Sequence, residues 1–355
     1  MKGQDLPVHF LFFGGTGFVG RHAVLVCLAR GHDVTLVCRG LSDPLVFPGV
    51  ARITGDRADP ATLALVAARS FDAVIDTSGY LPREVGMAAE AVAPSGAHYV
   101  FVSSVSVYAD FSRPPDETTR TRDAILEGPL TREGYSGLKV ASERIVRELL
   151  GDRACIVRAG RILGPHDSDS RAPSVLRRIG QGGGEVAAPG DEAAPTQLVD
   201  VRDHAAFLVR CAEERLRGVF NVVSPSFPAK DLFDAMRAAT GSDARFCWIP
   251  EDVLLSHRID APIEAPFWVA RIYANALRVS PARALENGLT LRPVAETLRD
   301  EWSWMQKGWE AAASVRAHTP LAREAGLSAE RERALLAALR CRQRSGEAGD
   351  LPSKR

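Results

Sequence analysis

The chain has no excess charge of either sign and no long apolar run, and each absence argues against a class of protein. Its 355 residues carry 44 lysines and arginines against 44 aspartates and glutamates, so the overall charge favours neither nucleic acid nor an anionic membrane as a partner. No apolar stretch approaches the roughly 18 residues of a membrane-spanning helix, and the N-terminus lacks a signal-peptide pattern. We therefore expect a cytoplasmic protein.

Cysteine and histidine are also sparse in any useful arrangement. The six cysteines lie far apart without a C-x-x-C motif, which is typical of reduced cytoplasmic thiols and not of disulfides or zinc ligands. The eight histidines are equally scattered, so the sequence gives no support for a metal site. The remaining composition, 46% hydrophobic and 25% charged, is that of a globular protein of roughly two domains.

A glycine-rich turn follows the apolar run at 8–13 and precedes a helix-like segment. Glycine permits positive φ and close backbone approach, and the free amides at a helix start attract phosphate. The spacing fits both G-x-G-x-x-G and G-x-x-G-x-x-G, and a second strand at 34–38 completes a βαβ unit. This pattern predicts a dinucleotide site formed by Gly14, Gly15, Thr16, Gly17, Phe18, Val19 and Gly20.

Strand-like and helix-like segments alternate through the first 160 residues, which predicts an α/β protein with a Rossmann-type, doubly wound parallel sheet. Helices are expected near 18–30 and 202–214, and strands at 8–13, 34–38, 51–54, 73–76, 99–102, 154–157 and 218–223. The rhythm breaks after Gly164, so a smaller substrate-binding domain is expected to be interleaved with the first. The predicted nucleotide-binding domain comprises 1–165 and about 200–225, the substrate-binding domain comprises about 166–199 and 226–310, and 311–355 form a tail.

Two further predictions concern the C-terminal half. Ser328 is a plausible N-cap for a helix through Leu335, Leu336 and Leu339, with disorder after Cys341. Large aromatic residues outside the core pattern could line a substrate pocket or form the core of the small domain, and the second alternative is favoured. They are Phe246, Trp248, Phe267, Trp268, Tyr273, Trp302, Trp304 and Trp309.

Tyr135 and Lys139 form a Y-x-x-x-K pair, which places a phenol and an ammonium one helical turn apart. A nearby cation favours the phenolate, so Tyr135 could act as a general acid or base. The strand ending at Ser103–Tyr108 brings hydroxyl groups to the sheet edge where α/β proteins bind ligands. One of these hydroxyls can polarise a substrate oxygen.

With these motifs the chain, from about Val8 to Trp309, resembles the extended short-chain dehydrogenase/reductases, the NAD-dependent epimerase/dehydratase family. The resemblance implies that Ser104 orients the substrate oxygen, with Ser103 and Ser106 as competitors. Tyr135 would exchange a proton, and Lys139 would bind the nicotinamide ribose and lower the pKa of that tyrosine. Tyr108 is expected to pack structurally.

The predicted cofactor is NADP in preference to NAD. NAD enzymes of this fold usually carry an acid at the end of the second strand, where this chain has Cys38 followed by Arg39, and a guanidinium matches a 2′-phosphate. A solvated Arg39 is the alternative. By resemblance, further cofactor contacts are expected from Asp56, Arg57, Thr77, Ser78 and Gly79.

The substrate is less defined by the sequence. Arg161 stands where sugar-nucleotide enzymes of the family tend to have asparagine, so it either pairs with a phosphate-bearing substrate or indicates another ligand class. Ser104, Ser106 and Arg161 are the predicted substrate contacts. The segments at 55–57 and 76–80 also resemble an atypical reductase-like subgroup that includes plastid stem-loop RNA-binding proteins.

Three functions follow from these patterns. The leading hypothesis is an NADP(H)-dependent oxidoreductase acting on a ketone or secondary alcohol of a small metabolite. The second is an epimerase or dehydratase acting on a sugar nucleotide or related metabolite, and the third is a nucleotide-sensing or RNA-binding protein that retains the fold. A homodimer is predicted through apolar residues of the tyrosine-bearing helix, with packing of these residues against the sheet as the alternative: Val140, Ile145, Val146 and Leu149.

Overall fold

The computed structural model describes residues 7–41, 46–167, 169–261, 263–308 and 325–349. The strands are β1 His9–Phe13, β2 Asp33–Cys38, β3 Ala51–Thr54, β4 Ala73–Asp76, β5 His98–Ser104, β6 Ala154–Ala159, β7 Ile162–Leu163, β8 Glu185–Pro189, β9 Pro195–Thr196, β10 Val199–Asp200, β11 Gly218–Val222, β12 Phe227–Pro228 and β13 Arg245–Ile249. The helices are α1 Phe18–Ala29, α2 Pro60–Ala67, α3 Pro82–Val92, α4 Arg132–Leu150, α5 Arg171–Gly180, α6 Val201–Glu213, α7 Ala229–Thr240, α8 Glu251–Ser256, α9 Ala282–Glu286, α10 Val294–Gly308 and α11 Ala329–Gly349.

A seven-stranded parallel sheet forms the centre of the molecule, with strand order β3-β2-β1-β4-β5-β6-β11. Phe10 and Phe12 of β1 pack with α1 and α6 on one face, while Leu11 and Phe13 pack on the opposite face. Helices α2, α3 and α4 cover that second face. Because both faces are buried, the strands are nearly continuous apolar runs. The predicted Rossmann-type fold is confirmed.

The strand order reverses between β1 and β4, which opens a crevice at the carboxyl ends of these strands. The predicted strands and both predicted helices are found, with ends that lie close to the expected ones. At 98–104, strand β5 is longer than expected and carries Ser103 and Ser104 to this edge. The segments that follow these parallel strands carry most of the predicted binding and catalytic residues. They therefore meet at one edge of the sheet.

Apart from β11 and α6, which belong to the central sheet and its first face, segments beyond β6 build a second packed unit in which α5, α7 and α10 contact one another beside the parallel pair β8–β13. Its apolar cluster contains Phe233 and Phe267 and is bordered by Phe246, Trp248, Trp302 and Trp304. Trp268 belongs to a neighbouring cluster, while Tyr273 is exposed. Apart from Tyr273, the described aromatics form cores and their borders, which is the favoured alternative, and none of them lines the cavity at the sheet edge. Trp309 lies outside the described residues.

The C-terminal helix α11 begins as predicted, because the Ser328 hydroxyl accepts a hydrogen bond from the Arg331 amide at 3.2 Å. Leu335 and Leu336 are buried in the cluster that contains Ile249. The helix continues to Gly349, so the expected disorder after Cys341 is wrong as far as that residue. Apolar packing against β8, β13 and α8 holds the helix where composition alone indicated a polar tail.

Candidate active site

A cavity of about 870 Å³ opens at the carboxyl edge of the central sheet. Most of the predicted site residues line it. They are Gly14, Thr16, Gly17, Phe18, Val19, Gly20, Arg39, Asp56, Arg57, Thr77, Ser78, Ser104, Ser106, Tyr135 and Arg161. Three predicted residues do not line the cavity themselves: Gly15, Gly79 and Lys139. The fold thus brings together segments that are far apart in sequence.

The glycine turn between β1 and α1 is shaped by close contacts. Gly14 has a φ of +93°, and a Cβ atom on Gly20 would lie 2.0 Å from the Gly14 carbonyl oxygen. A Cβ on Gly15 would lie 2.5 Å from Leu36. By contrast, a Cβ on Gly17 would meet no atom within 4 Å, because this residue faces open space. The turn therefore fits a pyrophosphate above the first amides of α1.

The end of β2 supplies the rim of the cavity near this turn. Cys38 ends the strand, and the exposed Arg39 follows it. Asp56 and Glu84 line the same region. Burial raises the pKa of Glu84, and Arg57 opposes that rise. Arg39 makes no ion pair with another described residue, so its charge is available to an anionic ligand.

Arg57 is committed to an internal ion pair. Its guanidinium donates two hydrogen bonds to the Asp76 carboxylate, at 2.6 and 2.8 Å, and a third to the Ser78 hydroxyl at 3.1 Å. Tyr99 donates another to Asp76 at 2.8 Å. Burial alone would raise the pKa of Asp76, but Arg57 outweighs it and the pKa is lowered. The network fixes the loop after β4 beside the glycine turn, where Thr77 donates to the Gly14 carbonyl at 2.9 Å.

Ser104 and Tyr135 occupy the wall where β5 meets α4. The Ser104 hydroxyl accepts a hydrogen bond from the Ser106 amide at 3.2 Å, and the Ser106 and Ser136 hydroxyls are 3.1 Å apart. Burial raises the pKa of Tyr135, an effect that Tyr80 reinforces and Ser104 opposes. The phenol is therefore protonated at neutral pH and can donate its proton.

Lys139 lies one turn along α4 and is buried. Its ammonium donates hydrogen bonds to the Gly79 and Val102 carbonyls, both at 2.8 Å, and lies 5.9 Å from the centre of the Tyr135 ring. Burial lowers the pKa of Lys139 to about 8. The expected lowering of the Tyr135 pKa by Lys139 is not what the structure shows, because desolvation of the phenol dominates. The predicted contact of Lys139 with ribose stays a prediction.

Ser103 points away from the cavity. Its hydroxyl donates to Glu143 at 2.5 Å, and Glu143 also pairs with Arg158 through two contacts of 2.7 and 3.0 Å. Tyr108 is buried and donates to Asn221 at 2.6 Å, which confirms its structural role. The Ser103–Glu143 hydrogen bond ties β5 to α4, and the Arg158–Glu143 pair ties β6 to the same helix. Ser103 is therefore a packing residue, and Ser104 and Ser106 are the hydroxyls left at the wall.

Arg161 lines the same cavity, just after β6. Its Nη1 atom is buried and has no hydrogen-bond partner among the described residues. The guanidinium lies 5.6 Å from the centre of the Phe267 ring. Burial and the nearby Arg171 lower the pKa of Arg161 to about 9.

Several cavity residues were not predicted. Tyr80 and Glu84 follow β4, and Asp167, Asp169 and Arg171 follow the turn at Gly164. Arg171 pairs with Asp169, and burial together with Asp169 raises the pKa of Asp167 well above its usual range. The sequence contained a signal for the second group, because shortly after the Gly164-Pro165 turn three charged residues alternate with serines. They are Asp167, Asp169 and Arg171.

A family model described as the NAD dependent epimerase/dehydratase family matches residues 10–222, more than half of the chain. The chain belongs to this family. The match covers the whole central sheet, including the glycine turn, Ser104, Tyr135 and Lys139. The protein is thus an NAD(P)-dependent enzyme of the extended short-chain dehydrogenase/reductase type with a nicotinamide dinucleotide as cofactor, and the family resemblance seen in the sequence is confirmed.

Two curated relatives are similar to this chain. A 2′-dehydrokanamycin reductase from Streptomyces kanamyceticus is 29% identical over 250 residues, which cover 68% of this chain and 69% of the relative. A chloroplast stem-loop binding protein of 41 kDa from Arabidopsis thaliana is 28% identical over 240 residues, which cover 62% of this chain and 60% of the relative. The resemblance to the atypical subgroup with stem-loop-binding members is thereby supported.

Among solved structures, the UDP-glucose 4-epimerase of Thermus thermophilus, a complex with NAD, aligns with a TM-score of 0.63 at 18% identity. The alignment covers 84% of this chain and 99% of the epimerase. At this identity the likeness shows the fold. Within the described part of the chain, no helix is long and apolar enough to cross a membrane.

Proposed function

We propose that this family member is an NADP(H)-dependent oxidoreductase that interconverts a ketone and a secondary alcohol on a small metabolite. The observation that carries the proposal is the presence of Ser104 and Tyr135 on the wall of the same cavity as the glycine turn. The similarity to an enzyme named as a 2′-dehydrokanamycin reductase supports reduction of a carbonyl group.

Each of the three residues has a defined task in this scheme. The Ser104 hydroxyl donates a hydrogen bond to the substrate carbonyl oxygen, and the protonated Tyr135 Oη delivers the proton to that oxygen. The buried charge of Lys139 stabilises the phenolate left on Tyr135. A bound nicotinamide dinucleotide supplies hydride to the carbonyl carbon. The internal network of Ser103, Glu143 and Arg158 keeps the strand end and the helix at a fixed separation.

The choice of NADP rests on Arg39. Arg39 is exposed at the cavity rim directly after β2. The position before it, where an acidic side chain would bind the ribose hydroxyls of NAD, is occupied by Cys38. An arginine at this position matches the two negative charges of a 2′-phosphate. Arg57 contributes less to cofactor selection, because Asp76 already occupies its guanidinium.

Isotope transfer tests the proposal. The purified protein is incubated with a fractionated metabolite extract and NADPH or NADH carrying deuterium at position 4, and products are read by mass spectrometry. We expect label in a specific compound from NADPH, with loss of label in Tyr135→Phe and retention in Tyr273→Phe, an exposed tyrosine outside the cavity. No transfer from either cofactor would contradict the proposal.

Epimerisation or dehydration is the second candidate, and the family description favours it. The same Ser104, Tyr135 and Lys139 set could begin such a reaction by taking the proton of a substrate hydroxyl, while a bound NAD(P)+ would accept the hydride and later return it within the site. An enzyme of this kind holds its cofactor through each turnover. Non-exchanging NAD(P) in the purified protein, together with an isomer shift or loss of water in the extract, would therefore favour this candidate over the reductase.

A stem-loop-binding relative makes a non-catalytic role the third candidate. The balanced charge of the chain gives it no electrostatic advantage on RNA. A salt-dependent mobility shift of a stem-loop RNA without any isotope transfer would favour this role.

A further inference from the structure

Arg161 lines the cavity and has no anionic partner among the residues that the structure describes. Its guanidinium has no ion pair with any described residue, whereas the other cavity arginines of this region are paired: Arg132 with Asp260 and Arg171 with Asp169. The contact with the Phe267 ring is weak by comparison with the cost of burying an unpaired charge. An anionic ligand would supply the missing partner and offset this cost.

The position of Arg161 relative to the reacting groups follows from strand register. Ser104 of β5 lies opposite Ala159 of β6, and Arg161 comes two residues later along the chain. Neighbouring strands are about 4.8 Å apart and each residue advances about 3.3 Å, so the two backbones are separated by roughly 8 Å. A substrate whose carbonyl oxygen contacts Ser104 can therefore place a group a few bonds away against Arg161.

The acidic side chains near Arg161 do not neutralise it. Asp169 is engaged by Arg171 through contacts of 2.5 and 2.7 Å. Asp167 is buried, and burial together with Asp169 raises its pKa well above the usual range, which disfavours its charged form. The Asp167 carboxyl also accepts a hydrogen bond from the Asp169 amide at 2.7 Å. Neither of these two carboxylates therefore forms an ion pair with Arg161.

We propose that Arg161 selects substrates that carry a carboxylate or phosphate a few bonds from the reacting carbon. This inference rests on the proposed function, because it places the anion relative to Ser104 and Tyr135. A planar guanidinium binds either anion through paired hydrogen bonds. Neutral analogues leave the buried Nη1 atom of Arg161 without a partner, so we expect them to bind more weakly.

Anion binding to the NADPH-loaded protein tests the proposal without knowledge of the substrate. Loading fills the phosphate sites of the cofactor, and inorganic phosphate or acetate is then titrated at constant ionic strength, with chloride as reference. The readout is the shift in melting temperature. We expect a saturable shift with at least one of the two anions in the wild type, at least tenfold weaker binding in Arg161→Gln, and unchanged binding in Arg132→Gln.

The anion that gives the stronger shift identifies the substrate group as carboxylate or phosphate. The proposal is overturned by an absence of saturable binding in the wild type, or by equal binding in Arg161→Gln. It is also overturned if Arg161→Gln weakens NADPH binding tenfold, because the residue would then serve the cofactor. Isotope transfer without anion binding would refute this inference alone, whereas anion binding without isotope transfer would refute the reductase.

Discussion

At the scale of single residues, the charge of Lys139 decides how well Tyr135 can give up its proton. Desolvation of the phenol raises its pKa, so the phenolate that follows proton donation is costly unless a cation compensates. Lys139 lies 5.9 Å from the ring centre and is held by two backbone carbonyls. Its ammonium therefore acts on Tyr135 mainly after the proton has left.

This arrangement predicts a pH profile. Burial lowers the pKa of Lys139 to about 8, so its charge is present below this pH and is lost as the pH rises through it. Tyr135 remains the proton donor over the same range because its pKa is raised. We expect kcat/KM for ketone reduction to fall above about pH 8, measured with the compound found by isotope transfer.

Lys139→Arg is the matched variant for this profile, since arginine keeps its charge throughout. Its absolute activity should be lower, but the fall above about pH 8 should disappear. An identical profile in the wild type and the variant would show that another group titrates.

Arg39 carries the second residue-scale prediction, which concerns cofactor choice. Replacing it with aspartate removes the partner of a 2′-phosphate and adds an acceptor for ribose hydroxyls. Charge-assisted hydrogen bonds contribute about 1.5–3 kcal/mol, so the preference for NADPH over NADH in kcat/KM should fall roughly 10- to 100-fold. Arg39→Lys, which keeps the charge, should retain most of the preference. An unchanged ratio in Arg39→Asp would mean that Arg39 is only a solvated charge.

At the scale of elements, the turn between β1 and α1 has glycines with different tasks. Gly20 allows α1 to pass against the Gly14 carbonyl, whereas Gly17 faces open space at the mouth of the cavity. Gly20 is therefore needed for the packing of the turn, whereas Gly17 leaves room for the bound cofactor. Substitutions to alanine should therefore separate stability from binding.

For Gly20→Ala we expect a loss of about 1–3 kcal/mol in the free energy of unfolding, because the new Cβ overlaps backbone. For Gly17→Ala we expect unchanged unfolding but at least tenfold weaker NADPH binding. Chemical denaturation and fluorescence titration measure the two effects. Gly49→Ala, also facing open space but outside the cavity, is the control and should change neither. Normal NADPH binding by Gly17→Ala would contradict the assignment of this turn.

The helix that carries Tyr135 also bears on assembly. Val140 and Val146 are buried within the subunit, and Val146 packs in the cluster beneath the sheet. Leu149 is exposed, so only part of the apolar set predicted to form a dimer surface is free. The homodimer stays a prediction, and a monomer-sized elution at micromolar concentration would contradict it.

At the scale of the whole molecule, α11 ties the C-terminal part of the chain to the second packed unit. Glu332 of this helix accepts hydrogen bonds from the Ala187 amide at 3.1 Å and from Arg178 at 2.6 Å. Leu335 is buried beside Ile249 and Trp268. The helix is therefore part of the folded structure around β8 and β13.

Truncating Leu335 to alanine should reduce the free energy of unfolding by about 2–5 kcal/mol, since a buried side chain leaves a cavity. Arg333→Ala, on the exposed side of the same helix, should change it by less than about 0.5 kcal/mol. Chemical denaturation measures both values. Equal stability of the two variants would show that α11 adds nothing to the fold.

The sequence by itself determined the sheet, the turn and the family. Apolar runs, glycine spacing and the Y-x-x-x-K pair are local patterns, and local geometry fixes them: a strand followed by such a turn and a helix has few alternatives. The Y-x-x-x-K pair likewise indicated Tyr135 and Lys139, whereas the choice of Ser104 came from the family resemblance. The substrate group, by contrast, has no sequence motif.

Only the tertiary structure decided what surrounds each of these groups. Asp76 forms an ion pair with Arg57, and Glu143 accepts a hydrogen bond from Ser103. The Nη1 atom of Arg161, by contrast, has no hydrogen-bond partner among the described residues. Burial likewise reversed the expected direction of the Tyr135 pKa. Pairing and desolvation depend on residues that are distant in sequence, so spacing along the chain carries no record of them.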